Sequence, residues 1–206
     1  TVPALTRRGR PQSKGELPYK PLRSYLSIFL GNRYTLTLTI GEGLLVREAA
    51  QMAQAGKSVE EILSYLHESI PITTAVAVMD TLKYMERGGR ISKLKHIIGT
   101  ILRFKPFIGT EHGFLVEMGR KRGFEEAVAT LKALGKKVIT ECKINTILIG
   151  HTAIPQAAKE LLDFLKDIKP DLDGFISQVG ASIGSHMGPG CLGIAWTGPY
   201  SRDWLK

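Results

Sequence analysis

The sequence predicts an α/β fold in which a mixed β-sheet carries packed helices. Two patterns point to it: apolar residues recur with helical spacing in some stretches and alternate in others, and the two kinds of stretch take turns along the chain. A third observation sets the sheet type. Two strand-like runs meet through His112-Gly113, a link short enough to make a hairpin, and a hairpin cannot be parallel. The 206 residues are 43% hydrophobic and 23% charged, enough apolar material for one domain or a small pair. The longest apolar-leaning run, Tyr25 to Ile40, is broken by Asn32 and Arg33, and no stretch reaches the roughly 20 residues of a membrane span.

The elements follow in order. Residues 1–24 hold Pro3, Pro11, Pro18 and Pro21 without periodicity and read as an extended or disordered leader. The chain opens on Thr1 with no basic-then-apolar signal layout, which reads as a processed chain or a fragment. Thr35 to Ile40 alternates and predicts a strand. Gly41 and Gly43 open a helix carrying Leu44, Leu45, Ala49, Met52 and Ala53, which stops at Gly56. Ser58 and Glu61 form a capping box for a second helix whose buried stripe is Val59, Ile62, Leu63 and Leu66. A β-rich run from Thr73 to Met79 comes next, then short helices over Thr81–Glu86 and Lys93–Arg103. The hairpin pairs Pro106–Thr110 with Phe114–Gly119. A helix from Glu125 to Leu134 stops at Gly135, and Thr146–Gly150 is a strand. Pro155 starts a helix that turns Ala158, Leu161, Leu162, Leu165 and Ile168 inward and ends before Pro170. Strands at Phe175–Val179 and Leu192–Thr197 flank a loop and complete the sheet.

Charge is unevenly placed. The net +9 divides into +6 over residues 1–33, −4 over 34–81, +7 over 82–122 and zero beyond. The basic cluster Arg120-Lys121-Arg122, with Arg87, Lys93, Lys95 and Arg103, could meet nucleic acid, but no set of aromatic residues accompanies it for base stacking, and an acidic protein partner fits as well. Cys142 and Cys191 are far apart and match neither a redox nor a zinc motif, which suits a reducing cytoplasm. His67, His96, His112 and His151 lack metal-ligand spacing, so no metal site is expected.

Two glycine-centred segments could carry chemistry. In Met85 to Ser92, the paired Gly88-Gly89 can turn backbone amides outward and set Arg90 on a constrained loop, an arrangement that binds anions. A helix C-cap followed by an N-cap at Ser92 explains the same residues more plainly. In Val179 to Gly193, the glycines permit close backbone approach to a ligand, while Ser182, Ser185 and His186 offer hydroxyl and imidazole groups. His186 either holds a carboxylate or phosphate or satisfies a buried carbonyl; the sequence weighs these equally.

At these residues the chain resembles the DegV family, bacterial proteins that bind a fatty acid and serve as the acyl-carrying subunit of a fatty acid kinase. The resemblance rests on Asp80 to Met85 running into Gly88 to Ser92, on Lys105-Pro106 and the hairpin before Arg120-Lys121-Arg122, on Ile149-Gly150-His151, and on His186 to Gly190. It spans about Gly41 to Trp196. It implies a long-chain fatty acid held between two domains, with its carboxylate near His186, Ser185 and Arg90 and with Gly184, Gly188 and Gly190 in a glycine-rich loop. It further implies a cytoplasmic binding subunit with no catalytic residue, metal or cofactor of its own, served by a separate kinase catalytic subunit; the +7 over residues 82–122 without stacking aromatics suits Arg120, Lys121 and Arg122 to docking that partner. Binding of nucleic acid is the alternative reading and is disfavoured. The implied division is residues 1–40 as an unmatched basic leader, 41–71 as helices closing an amino-terminal parallel-sheet domain, and 72–206 as the carboxy-terminal mixed-sheet domain. The family's T-D-S-x-x-D-L, T-S-x-P-S and S-G-T segments, whose hydroxyls join that histidine at the carboxylate, are absent from this sequence.

Overall fold

Alternating β-branched and apolar residues build six strands: β1 (Thr73–Val78), β2 (Phe104–Glu111), β3 (Phe114–Arg122), β4 (Thr146–Thr152), β5 (Asp173–Gln178) and β6 (Cys191–Thr197). In the computed structural model, which describes residues 35–37, 39–91 and 104–205, they form one sheet in the order β3-β2-β1-β6-β4-β5. Only β4 and β5 run parallel; every other pairing is antiparallel. The mixed sheet is therefore as expected. The helices are α1 (Ile40–Gln54), α2 (Val59–Ser69), α3 (Lys83–Arg87), α4 (Phe124–Thr140), α5 (Pro155–Ile168) and α6 (Ala181–Met187). Among the described residues no helix is long and apolar enough to cross a membrane.

Because successive side chains point to opposite faces of a strand, the sheet has two different coats. On the first face Val76, Val78, Phe107, Ile147, Ile149, Leu192, Ile194 and Trp196 pack with Leu131, Leu134 and Val138 of α4 and Leu161 and Leu165 of α5. The second face carries two smaller clusters. Ile40 and Leu44 of α1 lie on Ala75, Leu148 and Ala195. Met79, Leu82, Met85, Ile108, Met187 and Cys191 form the other, beneath α3 and α6. Arg47 fastens α1 to the start of β5 through two hydrogen bonds to Asp173, both 2.7 Å, with its guanidinium 4.3 Å from the centre of the Phe175 ring. Tyr65 of α2 donates to Glu48 of α1 at 2.7 Å. Burial pushes the Glu48 carboxyl above its ordinary value, and burial together with Glu48 pushes the Tyr65 phenol up to about 12.

Several local expectations hold. The Ser58 and Glu61 capping box is complete. The hairpin turns on His112 and Gly113, both with positive φ, as a two-residue turn requires. Pro155 begins α5.

Others are corrected. The alternating run from Thr35 does not form a strand: residues 35–37 carry no strand pairing, Leu36 and Thr39 have φ of 54° and 49°, and Ile40 already belongs to α1. Gly135 does not stop α4, which continues to Thr140. A Cβ there would lie 2.9 Å from a methyl of Leu165, so this glycine lets α4 and α5 approach closely. Of the helically spaced apolar positions of α1, Leu44 and Leu45 are buried and Ala53 is exposed. The stripe of α2 is buried only at Leu66; Val59 is 58% exposed. The glycine-rich stretch expected as a loop contains α6, with Gly184 inside the helix and Gly188 and Gly190 in the turn after it. The expected leader, the expected helix over Lys93–Arg103, the Ser92 cap, His96, Lys93, Lys95 and Arg103 lie outside the described residues.

Two expected outcomes follow from this packing. Gly193 sits mid-sheet, where a Cβ would be 2.8 Å from both the Ala77 methyl and the Val76 carbonyl. Neither can move without moving β1, so Gly193→Ala should cost about 1 to 3 kcal/mol, the usual penalty of overpacking, measured by urea unfolding. Burial pushes the Cys191 thiol up to about 12, whereas Cys142 is half-exposed. Iodoacetamide at pH 8 should label Cys142 alone in the native protein, and both cysteines in denaturant, as read by peptide mass spectrometry.

Candidate functional site

The carboxyl ends of β4 and β5, beside the carboxyl end of β1 and the start of β6, carry the segments that the sequence singles out. They meet there in register. The segment from Asp80 to Arg90 lies against the segment from His186 to Gly190 at three points, each with a glycine on one side. A Cβ on Gly190 would be 2.9 Å from the Asp80 Cβ, one on Gly188 would be 2.2 Å from the Tyr84 ring, and one on Gly88 would be 2.2 Å from His186 Nδ1. Each glycine is thus a seat for a side chain of the other segment, and any larger residue would push the two apart.

His186, near the end of α6, is half-buried, and its Nδ1 is enclosed without a hydrogen-bond partner. Thr37 Oγ1, His151 Nδ1 and Tyr200 Oη share this state among the described residues, and His186 is the one whose open nitrogen faces a glycine of the opposing segment. Arg90 comes to the same place, its guanidinium donating to the Gly88 carbonyl at 2.8 Å. Ser185 is exposed, and its hydroxyl donates to the Ser182 carbonyl at 2.9 Å, bonding back within its own helix rather than turning toward His186. The structure therefore brings Arg90 and His186 to one loop and leaves Ser185 on the outer side of α6.

The first segment is also tied to the sheet. Lys105 of β2 donates to both the carboxylate and the carbonyl oxygen of Asp80, each at 2.7 Å. Lys121, its cross-strand partner, belongs to the basic triplet on edge strand β3. Arg120 is paired with Glu117 at 2.8 Å, and Arg122 is exposed with its backbone amide donating to Glu126 at 3.2 Å. The triplet thus ends β3 on the side of the sheet that carries Lys105 and Asp80, whereas β4 and β5 close the opposite edge.

On the second face a groove of about 280 Å³ runs between the start of α1 and the start of α6. Ile40, Leu148, Val179 and Ile183 give it an apolar lining, and Thr39, Ser177, Gln178 and Ser182 add hydroxyl and amide groups. Ser182 and Ile183 precede His186 by four and three residues, so all three share one side of α6. Sequence reading missed this groove because its walls come from three separate stretches of ordinary apolar and hydroxyl residues. The one available signal was Gly150: a Cβ there would be 2.3 Å from Ile40, so the glycine is what admits the start of α1 to the sheet.

Comparison with known proteins agrees with this architecture. The profile described as "Uncharacterised protein, DegV family" matches residues 34–198. A DegV domain-containing protein of Caldanaerobacter subterraneus is 36% identical over 157 residues, which is 76% of this chain and 56% of that protein. Protein DegV of Bacillus subtilis is 27% identical over 158 residues, 76% of this chain and 56% of its own length. The crystal structure of DegV from Bacillus subtilis, described as a fatty acid binding protein, superposes with a TM-score of 0.66 at 26% identity, covering 77% of this chain and 57% of that one. A DegV family protein from Thermus thermophilus, described by its fatty acid binding, gives the same TM-score and coverage at 25% identity. This chain spans a little over half the length of each of these relatives.

Proposed function

The chain belongs to the DegV family, and from that premise we propose that it binds a long-chain fatty acid, laying the acyl chain along the groove beside α6 and its carboxylate at His186. The observation that carries this reading is the unpartnered Nδ1 of His186, on the side of α6 that also lines an apolar groove. Burying each methylene yields about 0.8 kcal/mol, so a chain of about fourteen supplies on the order of 11 kcal/mol in gross transfer. The apolar lining then provides affinity while the imidazole fixes which end of the ligand faces out. Arg90, one turn of loop away, adds positive charge for the carboxylate, and Ser185 would join only by exchanging its bond to Ser182. The turn residues Gly188 and Gly190 keep this part of the chain close to Tyr84 of α3 and to Asp80 before it, and Gly184 lies within the helix.

In this reading the chain carries out no reaction itself. It presents the carboxylate to the catalytic subunit of a fatty acid kinase, which supplies nucleotide and phosphoryl transfer. Arg120, Lys121 and Arg122 form the docking surface, since an exposed basic strand end attracts an acidic partner and speeds encounter. Residues 41–71 correspond to helices that close the family's amino-terminal domain, and 72–206 to the carboxy-terminal one. The burial of α2 supports that division, because its apolar stripe is left half-exposed by the sheet.

Solvent extraction of the purified protein followed by mass spectrometry should release a fatty acid; co-purifying nucleic acid with no lipid would favour the alternative reading of the basic residues. His186→Ala should weaken binding of a fluorescent fatty acid by roughly 1 to 3 kcal/mol, the loss typical of a hydrogen bond to a charged group. Equal affinities for the two proteins would place the carboxylate elsewhere. Reversing charge at Arg120 and Arg122 should weaken kinase association severalfold in a pull-down titration and leave lipid affinity near that of the parent. Loss of lipid affinity with docking intact would show the triplet to be part of the lipid site.

A further inference from the structure

Thr152, the last residue of β4, is buried, and its hydroxyl makes two hydrogen bonds to the turn that follows α6. It donates to the Gly188 carbonyl at 2.5 Å and accepts from the Cys191 amide at 2.9 Å. Its own carbonyl accepts from the Gly190 amide at 2.8 Å. One strand end therefore holds three of the four residues from 188 to 191. Gly188 terminates α6 with a φ of 73°, and the Tyr84 ring occupies the space above it. The end of the helix is caught between a buried hydroxyl below and an aromatic ring above.

His186 stands two residues before that terminus. A residue of α-helix turns the side-chain direction by about 100°, so docking the residue before or after Gly188 on Thr152 would rotate α6 and carry the imidazole away from Gly88. The geometry points to Thr152 as the positioning residue for His186. Its hydroxyl fixes which residue of the helix end docks on β4, and thereby the rotation of α6 and the direction in which the imidazole leaves it. The residue type suits the task. A hydroxyl both donates and accepts, which the Gly188 carbonyl and the Cys191 amide together require, and β-branching keeps χ1 stiff in a strand. Valine has the same shape and neither bond. This inference rests on the reading of His186 as the carboxylate ligand only for its effect on affinity; the orientation of the imidazole is independent of it.

The experiment compares Thr152→Val with Thr152→Ser, each alone and combined with His186→Ala. The His186 imidazole resonance, identified by its loss in His186→Ala, is followed by NMR, and affinity is measured with a fluorescent palmitate analogue. Thr152→Val should shift the His186 resonance and weaken binding roughly tenfold, as loss of buried hydrogen bonds does. Thr152→Ser should restore both. In the His186→Ala background, valine should weaken binding less than twofold further. An unmoved His186 resonance in Thr152→Val, or equal weakening with and without His186, would overturn the assignment. Should the valine variant not fold, Thr152→Ser decides, because a shifted resonance there would show that the methyl packing sets the imidazole and the hydroxyl does not. A parent protein that binds no palmitate would refute the proposed function, while the resonances would still test Thr152.

Discussion

Everything on the second face of the sheet depends on two missing side chains. Gly150 of β4 and Gly193 of β6 are direct cross-strand partners, and Gly193 also pairs with Ala77 of β1. Partners across a ladder point to the same face, so three adjacent strands present almost bare backbone at their centre. A sheet covered by ordinary side chains keeps a packed layer about 10 Å away. Here Ile40 comes close enough that a Cβ on Gly150 would be 2.3 Å from it. The start of α1 can sink onto the sheet, and the groove between α1 and α6 takes its position from that approach.

The same economy recurs beyond the ends of the strands. Asp80, Tyr84 and His186 each rest on a glycine of the facing segment, at Gly190, Gly188 and Gly88. Three seats in sequence leave the two segments one way to pack, since sliding either by a residue would set a side chain against backbone. The polar bonds complete the alignment: Lys105 holds Asp80 to β2, and Thr152 holds Gly188 and Cys191 to β4. Buried, paired hydroxyls are more directional than apolar contacts, and this is why a site at the rim of a small cluster can have a defined geometry without a large core beneath it.

Much of this was legible from the residues alone, and the failures have a common cause. The hairpin was legible because His112-Gly113 states its own backbone conformation. The capping box at Ser58 was legible because both of its partners are three residues apart. What failed were glycines whose reason lies elsewhere in the chain. Gly135 reads locally as a helix stop, yet its reason is Leu165. The stretch after Val179 reads as a loop because Gly184 weakens a helix; α6 nonetheless forms, its end held by Thr152 and Tyr84 and its Met187 buried beside Cys191. Thr35 to Ile40 reads as a strand by period, but Ile40 is recruited into α1 by Gly150. For the candidate site, His186 and Arg90 stand out in the sequence by their glycine neighbours, whereas the approach of both to Gly88 comes from the tertiary packing. The bond of Ser185 back to the Ser182 carbonyl has no separate sequence signal, because a helical serine can bond its own backbone three residues earlier.

The two faces of the sheet consequently answer to different constraints. The first face is a continuous aliphatic and aromatic core, where α4 and α5 are held by volume and shape. Such cores tolerate exchange of one apolar residue for another of similar size. On the second face, the clusters beneath α1, α3 and α6 are small, and their spacing is set by glycines and by hydrogen bonds to backbone atoms. There a single methyl or a lost hydroxyl changes distances between elements, because no surplus of packing absorbs it. Stability in this chain therefore resides mainly on the α4 and α5 side. The geometry of any ligand site resides on the other side, in residues whose contribution to the core is small.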